Sequence, residues 1–253
     1  MTYLSRVRIN PLRQQSRELL ANPRAMHSYV SAAVPATPDA ERRLWRWDTD
    51  NPHRPHLIAL TRSKPDWSHL VEAAGWPATD DGEHYVVADY APLLAQLAIG
   101  REFTFRLTAN PVQNIPRPPA RTNVQGGTDE DPSTGKRRSS VRTGHRTAAH
   151  QLNWFLKRTD NYGFQIPLAR TDPDLPIPGS EDSTAAPDVR IIHRDRLSFT
   201  KGERRDVVLH VATFQGRLKV IDPDLLTRAL LDGIGPAKAY GCGLLTLAPL
   251  AGS

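Results

Sequence analysis

The sequence predicts an α+β protein built from two tandem ferredoxin-like units, each a βαββαβ run with a four-stranded antiparallel sheet and helices on one face. Three observations predict it. Short segments alternate apolar and polar residues at period two, and segments of helical spacing separate them. The order strand, helix, strand, strand, helix, strand occurs twice along the chain, with Pro, Gly and Asn at the joints.

In the first unit, Tyr3, Ser5, Val7 and Ile9 alternate with Leu4, Arg6 and Arg8 until Asn10-Pro11 stops the strand. A helix is expected from Leu12 to Leu20. Asn22-Pro23 ends it and starts a second over Arg24 to Val34, with Asn22 as cap and Pro23 at the first helical position, where its missing N–H costs nothing. Arg43–Asp48 and His56–Thr61 read as a hairpin, Asp66–Ala74 as a helix and His84–Ala88 as the closing strand. The second unit opens with the clean alternation of Arg101–Ala109. It continues through a helix over Arg146–Lys157, strands over Val189–Thr200 and Val207–Val220, a helix over Pro223–Leu231 and a last strand over Leu244–Leu247. Asp89–Ile99 links the units, and Gly100 marks the boundary, giving domains 1–99 and 100–253. Two insertions interrupt the second unit. Asn114–Gly144 is rich in Pro, Gly, Ser, Thr and charge and is expected to be a long, partly mobile excursion, and Thr171–Pro187 is the other.

At 253 residues the chain is long enough to bury a core in each unit. Its net charge of +6 favours an acidic partner such as nucleic acid. A single cysteine, Cys242, excludes an internal disulfide framework and a cysteine-based zinc cluster, which fits a reducing compartment. The N-terminus lacks the apolar stretch of a secretory signal, and no run approaches the ~18 apolar residues of a membrane span. These features give a cytoplasmic expectation with no membrane partner.

Three features bear on chemistry. The stretch from Gly233 to Gly243 holds Gly233, Gly235, Gly241, Gly243 and one lysine, Lys238, and runs straight into the last strand. Glycines permit left-handed dihedrals and close backbone approach, so such a loop can turn amides and a cation towards phosphate. It matches neither the nucleotide-triphosphate loop nor the dinucleotide fingerprint, since a helix precedes it and a strand follows. Gly233 alone reads as a helix C-cap, and the loop as a whole as an anion site. Between Asp131 and Asp160 lie Lys136, Arg137, Arg138, Arg142, Arg146, Lys157 and Arg158 with no acid among them; a second basic region includes Arg190, Arg194, Arg196, Lys201, Arg204 and Arg205. Together they point to a phosphate backbone. His27, at the start of the second helix, is a candidate proton-transfer group, although a lone histidine is more often structural. No nucleophile elbow, metal-binding helix motif or carboxylate cluster accompanies it, and neither a metal nor a cofactor is expected. The tryptophans Trp45, Trp47, Trp67, Trp76 and Trp154 read as core or interface residues.

Tyr-Leu-Ser-Arg-Val-Arg-Ile-Asn at the start, Asn-Pro-Arg-Ala-Met-His ending at His27, Phe103-Thr-Phe-Arg-Leu-Thr-Ala-Asn-Pro111 and the terminal glycine loop together resemble the CasE family. These are CRISPR repeat-processing endoribonucleases of the Cascade complex, in the RAMP superfamily. The similarity spans nearly the whole chain. It implies two ferredoxin-like domains, binding of the repeat stem-loop in precursor CRISPR RNA, and metal-independent cleavage at the base of the stem to a 2′,3′-cyclic phosphate and a 5′-OH. It also implies retention in Cascade, with the backbone subunit beside the RNA 3′ end. The family's active-site histidine matches His27. Some members carry a catalytic tyrosine three residues earlier, where this chain has Arg24, a cation that stays protonated and cannot replace tyrosine as a proton donor. Gly235, Lys238, Gly241 and Gly243 match the family's RNA-contacting loop, and Lys136, Arg137, Arg138, Arg142 and Arg146 occupy the place of its basic loop and helix. Arg24 keeps open an alternative, a non-catalytic RNA-binding or scaffolding member of the same superfamily.

Overall fold

The computed structural model describes residues 1–35, 41–76, 84–116, 140–169, 186–201 and 205–250. The first unit runs β1 (Tyr3–Arg8), α1 (Gln14–Ala21), α2 (Pro23–Ala32), β2 (Leu44–Asp48), β3 (His56–Thr61), α3 (Ser68–Ala74) and β4 (Tyr85–Asp89). Its sheet has the order β2-β3-β1-β4 with every pair antiparallel. The alternation in β1 has the predicted effect: Ser5, Val7 and Ile9 are buried together with Leu19, Met26, Val30, Trp45 and Trp67. Burying such a row removes apolar surface from water at roughly 25 cal/mol per Å², and a one-residue slip would expose all of it. A short helix, α4 (Ala91–Leu94), follows β4 in the linker.

The second unit comprises β5 (Glu102–Ala109), β6 (Val112–Pro116), β7 (Ser140–Gly144), α5 (Ala148–Leu156), β8 (Phe164–Gln165), β9 (Val189–Lys201), β10 (Arg205–Val220), α6 (Pro223–Asp232) and β11 (Leu245–Ala248). Its sheet has the path β11-β5-β10-β8, with β9 also on β10. The second position of the ferredoxin-like order is therefore shared. β10 pairs with β9 from Arg205 to Gly216 and with β8 at Lys219 and Val220. The second insertion separates β8 from β9 in sequence; residues 170–185 lie outside the described residues, and its base is closed by Asp188 N donating to Pro167 O and Ala169 N to Ala186 O, both at 2.8 Å. The first insertion differs from its expectation at its stem. Val112–Pro116 and Ser140–Gly144 pair antiparallel as a hairpin, so the excursion begins inside a β-ribbon rather than at Asn114; residues 117–139 are outside the described set.

The larger core joins the units. Phe103, Phe105, Leu107, Phe155, Phe164, Phe214 and Leu230 form it together with Leu44, Ile58, Leu60 and Tyr90 from the first unit. The Phe155 and Phe214 rings stack at 4.8 Å, and Trp154 and Phe155 pack α5 as the sequence predicts.

Candidate active site

His27 stands on α2 because the sequence caps that helix firmly. The Asn22 side chain accepts from the Arg24 and Ala25 amides at 3.1 and 3.3 Å, and Pro23 begins the helix. Met26 and Val30 face the core, which leaves Arg24 exposed and His27 half-buried, three residues apart and hence neighbours on the helix surface. The His27 Nδ1 atom is buried with no hydrogen-bond partner among the described residues. Burial first, and then the positive charge of Arg43, hold its pKa below the ordinary 6.5, so a neutral imidazole able to accept a proton predominates at pH 7. Tyr29 points elsewhere, stacked on His69 with ring centroids 5.7 Å apart.

The terminal glycine loop packs against this helix. Its central 3-10 turn, Lys238–Tyr240, touches both α2 and β2. Gly241 has φ +79°, and a Cβ there would sit 2.9 Å from the Trp45 ring; Gly235 has the same φ and would meet Trp154 at 3.1 Å. The glycines thus let the loop lie flat on two tryptophans, one from each unit. Four of its amides are already committed to protein carbonyls: Gly233 to Ala229, Ile234 to Gly243, Tyr240 to Ala237 and Gly243 to Thr108. Close packing therefore accounts for the glycine pattern more fully than an amide nest does. Lys238 is the loop's cation. Burial and the charge of Arg42 lower its pKa while Asp232 opposes them, and Gly243 lies beside its stem. Cys242 is buried inside the loop, its thiol pushed up to about 12 by burial.

The structure therefore brings α2, which carries Arg24 and His27, against the turn that carries Lys238 and runs into Gly241 and Gly243, at a junction between the units. It does not bring Arg146 there. That residue is exposed just before α5, where Arg194 of β9 donates to its carbonyl and, at 2.8 Å, to Gln151. Its charge, with that of Arg196, reaches His210 on β10. His145 and His150 meet there too, with centroids 5.9 Å apart, because His145 lies in the turn before the helix rather than on it. β9 touches α5 and α2, so it connects this basic region to the His27 helix. Arg142 lies on β7, with its side chain outside the described set, as are Lys136, Arg137 and Arg138. The sequence reading missed Arg42 and Arg43, which enter β2 and act on Lys238 and His27. Their only local signal was a pair of charges before a strand.

The family model described as CRISPR associated protein matches residues 2–249. The chain belongs to this family. Among the family's relatives, the CRISPR-associated endoribonuclease Cse3 of Thermus thermophilus is 29% identical, over 98% of this chain and 100% of its own length. The CRISPR system Cascade subunit CasE of Escherichia coli is also 29% identical, with the same coverage. Among solved structures, Thermus thermophilus Cse3 bound to an RNA representing a pre-cleavage complex has a TM-score of 0.67 at 28% identity, covering 98% of this chain and 99% of that one. Cse3 bound to a 19 nt RNA has a TM-score of 0.66 at 27% identity, with the same coverage. The family likeness thus extends over both sheets and the terminal loop. Among the described residues no helix is long and apolar enough to cross a membrane.

Proposed function

We propose that this chain is a metal-independent endoribonuclease that binds the repeat stem-loop of precursor CRISPR RNA and cuts at the base of the stem. It leaves a 2′,3′-cyclic phosphate and a 5′-OH and stays with its product as a Cascade subunit in the cytoplasm. The observation that carries this reading is the setting of His27, a half-buried imidazole held neutral where the first unit's second helix meets the second unit's glycine loop. Whole-length similarity to an endoribonuclease solved with a pre-cleavage RNA supports it.

In this reading the division at Gly100 separates a unit that carries the imidazole from one that supplies most of the RNA contacts. His27 takes the proton from the attacking 2′-OH, because a depressed pKa keeps it unprotonated at neutral pH. Arg24, exposed one turn before it, holds RNA phosphate as a cation and moves no proton. Lys238, in the loop shaped by Gly235, Gly241 and Gly243, adds charge from the other unit. Lys136, Arg137, Arg138, Arg142 and Arg146 track the stem's backbone, since the deep, narrow major groove of A-form RNA limits reading of base edges. Product retention follows if most of the affinity lies in the stem, which stays on the product.

The test is incubation with a labelled repeat hairpin in EDTA beside His27→Ala, with analysis of the product ends. The expected result is a cyclic-phosphate product from the wild type and none from the variant, at nearly unchanged RNA affinity. A requirement for Mg²⁺ would overturn the mechanism. Tight binding without cleavage would place the chain with the scaffolding members, the reading that Arg24 in the tyrosine position favours.

A further inference from the structure

Strand alternation puts a second set of cations on the face of the first sheet turned away from α2. Val7 packs with the helix residues Leu19, Met26 and Val30, so Arg6 and Arg8 point to the other side. There Arg6 stands between Ile58 of β3 and the exposed Val86 of β4, and Arg8 stands beside His56 of β3. The same face continues onto β2, where Ile58 meets Arg46 and His56 meets Asp48. Arg6, Ile58, His56 and Asp48 line an open cleft of about 340 Å³, together with Asp50 and Arg54 from the turn between β2 and β3.

The acids of this cleft are already matched. Asp48 lies 2.7 Å from Arg46 and 3.5 Å from Arg106, and Asp50 lies 2.7 Å from Arg106. The side chains of Arg6, Arg8 and Arg54 have no hydrogen bond or ion pair among the described residues, and Arg6 and Arg54 are exposed. Three cations are thus left over in one concave site, where low-dielectric walls focus their field on an incoming anion. The turn between β2 and β3 joins this cleft to the His27 side of the sheet. A second cavity, of about 360 Å³, opens on the turn's other flank, lined by Thr49, Pro52 and Pro55 with Gly241 and with Pro23, the first residue of α2. The turn itself is a firm ledge, because Asn51 accepts the His53 amide on its side chain at 2.9 Å and the Arg54 amide on its carbonyl at 3.0 Å.

We propose that the cleft beside Arg6, Arg8 and Arg54 binds, through its phosphates, the single-stranded RNA on the 3′ side of the repeat hairpin. This rests on the endoribonuclease reading above and adds a site for the part of the precursor that cleavage releases. In that reading the stem lies on the basic residues of the second unit. The strand that runs past His27 away from the stem therefore leaves over the first unit, past Pro23 and across the turn. Arg6 and Arg8 stand about 7 Å apart along one face of β1, a spacing that an extended phosphodiester strand can follow. Exposed guanidinium forks are suited to phosphate oxygens. An acidic protein segment would meet the same charges, but the 3′ flank is covalently tied to the docked hairpin and reaches the cleft at high effective concentration. Because the flank departs after the cut, these contacts hold precursor more tightly than product.

The experiment measures the affinity of a repeat hairpin without flanks, with about ten unpaired nucleotides added 3′, and with the same number added 5′, a usual span for a single-strand site. The proteins are His27→Ala, which keeps the substrate whole, and the same protein carrying Arg6→Gln, Arg8→Gln and Arg54→Gln, each at several salt concentrations and with thermal melts in parallel. On the parent the 3′ flank is expected to tighten binding on the order of tenfold near physiological salt and to steepen the slope of log K against log salt by about 2, roughly 0.7 for each phosphate neutralised. With the three arginines replaced, 3′-flanked and unflanked hairpins should bind within about twofold of each other, with nearly equal slopes. Three results overturn the proposal: the full gain surviving the replacements, a gain from the 5′ flank in place of the 3′ flank, or no gain from either flank on the parent. The last is the result expected if a protein subunit covers this face. Cleavage by the wild type, assayed beside these titrations, keeps the two readings apart. A hairpin left uncut while the 3′ gain depends on the arginines overturns the endoribonuclease reading and supports the site, and cleavage without any flank gain does the reverse. If the triple replacement lowers the melting temperature, Arg54→Gln alone, on the exposed turn, is expected to reduce the slope difference by about 0.7, and an unchanged slope there is equally decisive.

Discussion

A histidine acts as a base through its neutral form, and whatever lowers its pKa enlarges that fraction near neutral pH. At His27 two causes do so, burial of the ring and the charge of Arg43, and both lower its pKa from 6.5. The active form in the proposed mechanism is the unprotonated one, so the rate should rise with pH through the folded-state pKa and level off above it. The prediction is a single ascending limb with its midpoint below 6.5 and a plateau by about pH 7, measured as single-turnover cleavage from pH 4.5 to 8.5. A rate that falls with rising pH through this range would mean that the proton is needed, making His27 the acid. The same shift acts on stability. Below the unfolded pKa the unfolded chain takes up a proton that the folded one refuses, so His27 makes the fold less stable as the pH falls below 6.5.

At the scale of the element, α2 decides where His27 and Arg24 stand, and its start depends on one side chain. Replacing Asn22 with Ala leaves the Arg24 and Ala25 amides without their acceptor and should cost about 1 kcal/mol. A urea midpoint lowered at constant slope reads this directly, and Asn22→Asp should restore most of it. This cap was legible in the sequence, as Asn-Pro before a helical run, and so was β5, whose Phe103, Phe105, Leu107 and Ala109 all point inward. Elements defined by distant partners were not legible. β8 is two residues long and exists only because Lys219 and Val220 offer their edge. The hairpin stem pairs Val112 with Gly144 and Pro116 with Ser140, segments with no alternation of their own. The site divides in the same way. His27 and the glycine loop carry local patterns, whereas Arg43 precedes β2 and its charge reaches His27 in a fold where the Lys238–Tyr240 turn packs on both α2 and β2.

At the scale of the molecule, the junction between units is held by a charged tie as well as by the shared core. Arg46 lies on β2, an edge strand of the first sheet, and is 4% exposed. It donates to Asp48 at 2.7 and 3.1 Å and reaches across to Arg106 O on β5, at 3.3 Å, and to Thr246 Oγ1 on β11, at 2.7 Å. Arg106 in turn lies 3.5 Å from Asp48 and 2.7 Å from Asp50. Burial alone would push the Asp48 carboxyl up, but hydrogen bonds and charge from Arg46 and then Arg106 outweigh it and hold its pKa below the usual carboxylate range. That stabilisation is present above the unfolded pKa near 4 and is lost as the pH falls through the folded value. Arg46→Met removes the crossing hydrogen bonds and leaves the Asp48 carboxylate under-compensated, with Arg106 at 3.5 Å, which should destabilise the protein by about 3 kcal/mol at pH 7. Adding Asp48→Asn should recover part of that loss, because the under-compensated charge is then gone, so the double variant should fall short of the sum of the single ones. Urea unfolding of the four proteins at pH 7 and again well below pH 4 tests both statements, the coupling being large at the first pH and diminished at the second. Strict additivity at pH 7 would show that Arg46 and Asp48 share no coupling energy.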